Sequence, residues 1–197
     1  MKFLSKYAAS DILTLELTYK KNASENNRKL KELLVQEQCN FCAYTEKYLD
    51  PLDSVEVEHL NSSLKYRDDY YNYYAVIRNA NLYKQDEKYV GASFLNSLFF
   101  QNAETFSAKI GFRQNTYYEI DEYDNEAVDF IDFLGLNHPT LSEQRSKHIK
   151  RLKESFGEAG YSKEDILGFF HRNKDQLSFC TAIEAEFDIE VEGIIRN

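Results

Sequence analysis

Only two prolines and seven glycines interrupt the 197 residues of this chain. No stretch rich in Gly, Ser or Pro reads as a linker, and there is no internal repeat. A chain with so few breakers is expected to fold as one domain spanning 1–197, although its length would also suit two small ones. At this size roughly 70% of the unfolded surface can be buried without a disulfide or metal staple. The material for such a core is aromatic: 14 Phe and 15 Tyr with no Trp, a load that excludes disorder. No apolar run approaches the ~20 residues of a membrane span. The opening Met1-Lys2-Phe3-Leu4-Ser5-Lys6 has too few apolar residues for a signal-peptide core. Three cysteines is an odd number, where a secreted protein of this size pairs them. The expectation is a cytoplasmic protein.

Periodicity divides the chain into three regions, and the fold class expected is α+β, mainly helical. Residues 1–38 read as helical, with Ser24 as an N-cap and Leu30, Leu33 and Leu34 on one stripe. Residues 39–88 change character. Val55-Glu56-Val57 alternates like a strand, Tyr73 to Ile77 is a second short apolar run, and 79–88 suits a short helix. In 89–197, Ile110 to Phe112 and Tyr117 to Ile120 suit strands, and Ala127 to Leu134 suits a helix. After the break at Asn137-His138-Pro139, a helix is expected from Ser142 to Phe156, ended by Gly157 and Gly160. Ser162 to Asp165 offers a capping start to another, running to Phe187 and burying Cys180 on its apolar face.

Cutting a phosphodiester needs a base to take a proton from water, a cation to stabilise developing charge, and something to orient the base. Glu58-His59, Asn72, and Asn79-Ala80-Asn81-Leu82-Tyr83-Lys84 supply those groups. A neutral histidine titrates near working pH. Carboxylate and amide oxygens, here Glu58 and Asn81, suit Mg²⁺. Asn72 would hold the loop so that His59 keeps its ring orientation. Adjacent residues on a regular strand face opposite sides, so Glu58 and His59 share a site only if the strand ends or bulges there.

The runs Cys42-Ala43-Tyr44-Thr45-Glu46, Val57-Glu58-His59-Leu60 and Asn72 to Lys84 resemble HNH endonucleases. In particular they are similar to the HNH nucleases of Septu-type and retron-associated anti-phage defence systems. Phe133 to Pro139, with Leu141 and Arg145, looks like a downstream segment of the same group. The resemblance implies an embedded ββα-metal module at 39–88 and Mg²⁺- or Mn²⁺-dependent hydrolysis of DNA. His59 would then be the general base and Asn72 its supporting residue. Glu58 and Asn81 would hold the metal, with Lys84 near the scissile phosphate or supporting the site. It further implies an ABC/SMC-like ATPase as partner, and leaves homo-oligomer formation open. Relatives with a structural zinc hold it with four cysteines. The matching positions here are Cys42, Thr45, Ile77 and Ala80, so no zinc is expected and Ile77 and Ala80 should pack against Cys42 and Phe41.

The loss of the zinc ligands and the acidic charge both pull against an enzyme. The formal net charge is −9, and residues 98–197 carry 11 Lys and Arg against 19 Asp and Glu. Neutralising phosphates supplies most nucleic-acid affinity, so a partner or a local basic patch must provide the grip. Lys65, Arg67 and Arg78, with Lys84, form the one basic grouping near the proposed site. The alternatives are a catalytically inactive HNH-scaffold interaction subunit, or an RNase. Tyr66, Tyr70, Tyr71, Tyr73 and Tyr74 suit either base stacking or half-buried strand and loop packing. The acidic run Glu119 to Asp132 reads as a solvated face, and His138, His148 and His171 as structural or surface residues.

Overall fold

Strands β1 (Val55–His59) and β2 (Tyr73–Ile77) pair antiparallel, with Val57 opposite Ala75, Glu58 opposite Tyr74 and His59 opposite Tyr73. The computed structural model describes residues 1–196. Aromatic and β-branched residues fit a pleated surface, and β2 is buried from Tyr73 through Val76. The chain passes directly from β2 into the single turn α3 (Arg78–Asn81). The helix expected over 79–88 stops there. Ile77 caps it with no side chain, and the Gln85 N–H bonds the Phe133 carbonyl at 2.9 Å instead of continuing a helical ladder.

Helix α2 (Ser24–Glu37) lies across both strands. It buries Leu30 and Leu34 against Tyr70, Tyr73, Ala75 and Ile12, the last from the short α1 (Asp11–Thr14). Ser24 is the first residue inside the helix rather than its cap. Ala23 holds the cap position without a side-chain bond, so the N-terminal turn is closed by backbone alone. Leu33 is only half-buried.

The second core lies beyond the sheet. Phe94, Phe99, Phe100, Phe106 and Phe130 meet there with Cys42, Tyr44, Tyr74, Val76 and Ala80, and Phe100 stacks on Phe130 at 4.6 Å. This packing folds the Phe-rich stretch into α4 (Phe94–Ser97) and α5 (Ala103–Lys109), two helices the sequence pattern did not mark. The hairpin β3 (Ile110–Arg113) and β4 (Thr116–Glu119) follows, then α6 (Asn125–Phe133). Part of the acidic run is engaged rather than merely solvated: Lys109 bonds Asp124 and Glu126, and Lys88 and Tyr89 bond Asp132.

The C-terminal helices build a third core. Helix α7 (Pro139–Ala159) starts from His138, carries Pro at its first position and ends at Gly160 in the left-handed region. Gly157 therefore lies inside it. Arg145, only 4% exposed, ties α7 down by donating to the carbonyls of Leu136 and Asn115. Helix α8 (Lys163–Arg172) has a full capping box between Ser162 and Asp165. The long helix expected to reach Phe187 breaks into α8, a 3-10 turn (Lys174–Leu177) and α9 (Cys180–Phe187). Phe179 sits between them at φ +65° because its N–H bonds the Glu46 carbonyl, while Thr181 bonds the Glu46 carboxylate. Docking on Glu46 outweighs helix continuation. Cys180 is buried as expected, and α10 (Glu192–Ile195) closes the chain.

The fold is thus mixed α and β, with about half of the described residues helical and two small antiparallel sheets. No helix among the described residues is long and apolar enough to cross a membrane.

Candidate functional site

His59 is the last residue of β1, and that ending lets it share a cleft with its neighbour Glu58. Both are buried, at 4% and 8% exposure. Beyond His59 the chain loops out through residues 60–72 and returns as β2. Asn72 closes this loop at its base. Its side-chain oxygen accepts from the Asn61 N–H at 2.8 Å, and its amide donates to the Asn61 carbonyl at 3.1 Å.

Inside the loop lies Asp68, with a side chain entirely removed from solvent. One carboxylate oxygen stands 2.5 Å from Nδ1 of His59 and also accepts from the Asn72 amide at 2.6 Å; the other accepts from the Tyr73 hydroxyl at 3.2 Å. A ring nitrogen facing a carboxylate carries the proton, which leaves the other nitrogen as a lone pair. That other nitrogen, Nε2, is buried and has no hydrogen-bond partner among the described residues. Leaving a polar atom so costs about 1–3 kcal/mol, an expense found chiefly where a site has a use for it. Tyr19 and Tyr73 hold the ring edge-on, at centroid distances of 4.8 and 5.4 Å.

Glu58 is gripped from two sides. Asn81, at the end of α3, donates to Oε2 at 2.7 Å, and Lys84 pairs with Oε1. The Lys84 ammonium is itself buried and also bonds the His59 carbonyl at 2.8 Å and Asp86 at 2.9 Å. The three bonds of Lys84 face Glu58, the β1 backbone and Asp86.

Glu58, His59 and Asn81 line one cleft of about 470 Å³, together with Tyr19, Lys65 and, from α2, Arg28 and Lys31. Arg28 pairs with Glu32. Among the described residues neither Lys31 nor Lys65 is paired with a carboxylate. Glu56 and Glu58 line the cleft as well, so it carries both signs, with Lys31 and Lys65 as cations not paired with a carboxylate.

The chain therefore brings Glu58, His59, Asn72, Asn81 and Lys84 together from three separate segments. Of the three basic residues expected to touch nucleic acid, Lys65 lines the cleft. Arg78 lies outside it, exposed and 3.6 Å from Glu56, and Arg67 folds back on the Ser63 carbonyl. Sequence reasoning missed Asp68, Tyr19, Arg28 and Lys31. Asp68 sits in Lys65-Tyr66-Arg67-Asp68-Asp69, which reads as solvated loop. Its one signal is a place four residues before Asn72.

Of the four positions that the resemblance matches to zinc ligands, Cys42, Ile77 and Ala80 lie together. Ala80 and Cys42 share the second core, and the Ile77 N–H bonds the Cys42 sulfur at 3.4 Å. Phe41 does not join them. It stacks on Phe3 at 4.6 Å in the third core, because the bridge to Tyr48 turns its ring to the other side. Cys39 and Cys42 are both free thiols.

Whether a divalent cation fits can be judged from the donors. No group of three or more His, Cys, Asp or Glu suited to a metal occurs among the described residues. Glu58 keeps unused lone pairs, and Asn81, whose amide nitrogen faces Glu58, has its amide oxygen left to offer. Mg²⁺ is commonly held by one or two carboxylates and retains several waters, so this pair fits Mg²⁺ rather than a closed all-protein cage. Comparison with family models, curated proteins and solved structures finds no match to the chain.

Proposed function

We propose that the chain is an HNH-type nuclease whose ββα module is β1, β2 and α3, hydrolysing DNA phosphodiester bonds. The observation that carries this reading is the unpartnered Nε2 of His59, buried in a cleft that Lys31 and Lys65 also line and backed through Nδ1 by Asp68. In the proposed reaction His59 Nε2 takes a proton from water as the oxygen bonds to phosphorus. The P–O3′ bond breaks, and the leaving oxygen is protonated by solvent. Asp68 stabilises the imidazolium so formed, and Asn72 holds Asp68 and the loop base in place. Glu58 and Asn81 would hold Mg²⁺ or Mn²⁺, which when bound supplies charge neutralisation at the phosphorane and the leaving oxygen. Lys84 positions Glu58, and Lys31 and Lys65 meet the flanking phosphates.

A grip this small on a chain of net charge −9 suits an effector that a partner brings to its target. An ABC/SMC-like ATPase in a defence complex is the partner proposed. The rival reading is a non-catalytic subunit on the same scaffold, favoured by one observation: Lys84 already neutralises Glu58.

Cleavage of plasmid and of a single-stranded DNA circle in Mg²⁺ or Mn²⁺ separates the two, using purified protein alone and with an ATPase of that class. Wild type should cut, and His59→Ala should lose about 10²–10⁴-fold in rate while remaining folded. Absence of cutting under both conditions overturns the nuclease reading. A labelled RNA in the same assay tests the RNase alternative.

A further inference from the structure

Tyr66 is 52% exposed, yet its backbone sits in the left-handed region at φ +72°. A tyrosine there is strained, and strain of this kind persists where the surroundings enforce it, often at binding sites. Its ring contacts Tyr19 at a centroid distance of 6.1 Å, and Tyr19 is the ring edge-on to His59. Lys65 sits over both tyrosines, 5.9 and 5.6 Å from their centroids. Tyr70, Tyr73 and Tyr74 of the same Tyr-rich stretch are buried, and Tyr71, 39% exposed, lies against the Tyr70 ring, so of the exposed pair it is Tyr66 that faces the cleft side with Tyr19 and Lys65.

We infer that Tyr66, Tyr19 and Lys65 form a subsite for one unpaired nucleotide next to the scissile phosphate, making single-stranded polynucleotide the substrate class. An exposed tyrosine face stacks on any base, whereas a base inside a duplex has both faces covered by its neighbours. Tyr66 and Tyr19 touch and leave no slot between them, so the base stacks on the exposed side of Tyr66 and does not enter a sandwich. Lys65, beside that ring and lining the cleft, meets the phosphate that joins this nucleotide to the one at His59. Lys31 and Arg28 extend the charged track along α2. This inference deepens the nuclease reading and rests on it for the identity of the reacting phosphate.

The test is binding without cutting. In a His59→Ala background with Mg²⁺, fluorescence anisotropy compares a short labelled DNA strand, the RNA of the same sequence and the DNA duplex. A single strand should bind at least about 10-fold more tightly than the duplex. Tyr66→Gly should weaken that binding by about 5- to 150-fold, and Tyr66→Phe should preserve it. Glycine is at ease at positive φ, so Tyr66→Gly should melt no lower than its parent, which separates lost stacking from lost folding. Tighter binding of either strand supports the subsite and identifies its sugar. Equal affinity for duplex, no binding of any probe, or a Tyr66→Gly variant that binds as before overturns it. Plasmid nicking with an indifferent Tyr66→Gly would sink the subsite alone, and strand binding without any cleavage would sink the chemistry alone.

Discussion

The buried carboxylate of Asp68 lies 2.5 Å from Nδ1 of His59, nine residues away across a loop that Asn72 pins shut. Replacing the carboxylate by an amide of the same shape keeps an oxygen toward Nδ1 and the Asn72 amide, since an N–H there would face the Asn72 N–H, but removes the negative charge that stabilises the imidazolium. Asp68→Asn is expected to fold and to lose about 10²–10⁴-fold in kcat with little change in KM. Asp68 would be merely structural if steady-state cleavage kinetics showed the loss in KM alone.

Lys84→Met would strip Glu58 of its ammonium while keeping most of the buried stem. A buried carboxylate without its partner costs about 3–5 kcal/mol. At this chain length the melting temperature should fall by about 6–20 °C. A cation held by Glu58 would restore part of it, since a ligand at 100 times its Kd contributes about 2.7 kcal/mol. Thermal denaturation with and without Mg²⁺ reads both effects. No Mg²⁺ response in either protein would remove Glu58 from the metal site.

Lys6 supplies a pH signature in the core behind β2. Burial pushes its ammonium down to about 7, against the opposing pull of Glu37, and it sits over the Tyr70 and Tyr74 rings while bonding the Tyr73 carbonyl. A lysine whose folded pKa lies below its unfolded value binds fewer protons when folded. Its destabilisation is therefore full below about 7 and is relieved as pH rises toward the unfolded value of 10.5. Stability should climb between about pH 7 and 9.5. Lys6→Met should flatten that slope in urea titrations. Above that window the buried tyrosines reverse the trend, because Tyr73, pushed up to about 12 by burial, stays protonated in the fold.

Gly135 links the downstream segment to the site. Its φ is +60°, and a Cβ there would stand 2.8 Å from the Tyr83 carbonyl, next to Lys84. Tyr83 is also stacked on His138 at 4.0 Å. Gly135→Ala should cost about 1–3 kcal/mol of stability. By displacing Tyr83 and Lys84 it should also lower nicking activity, whereas full retained activity would show that the site does not depend on this contact.

Lys31→Ala and Lys65→Ala should each weaken single-strand binding and reduce the magnitude of the salt slope by about 0.7. Anisotropy across a salt series measures it, and an unchanged slope would place that lysine away from phosphate.

Much of the architecture around His59 was readable because each residue there also serves the backbone. The alternation of Val55 and Val57 marks β1, the apolar run from Tyr73 marks β2, and the Asn72-to-Asn81 spacing fits one strand plus one turn. Asp68 was not readable, since its burial arises only when Asn72 closes the loop. Arg28 and Lys31 were hidden for another reason: α2 is brought to the cleft by Leu30 and Leu34 on a neighbouring side of the helix, and polar helix positions look alike in sequence. The C-terminal helix was overextended past Asn173 because the contact that interrupts it comes from Glu46, more than a hundred residues earlier.

The double clasp between Asn61 and Asn72 has a consequence for how such a chain changes over time. Everything between its two jaws except Asp68 and the buried Tyr70 is free of the duty of holding β1 and β2 against the rest of the fold. That arc can lengthen, shorten or swap its exposed residues while the imidazole stays where it is. Recognition is thereby uncoupled from chemistry, and a lineage under pressure to meet new targets would rewrite the arc first.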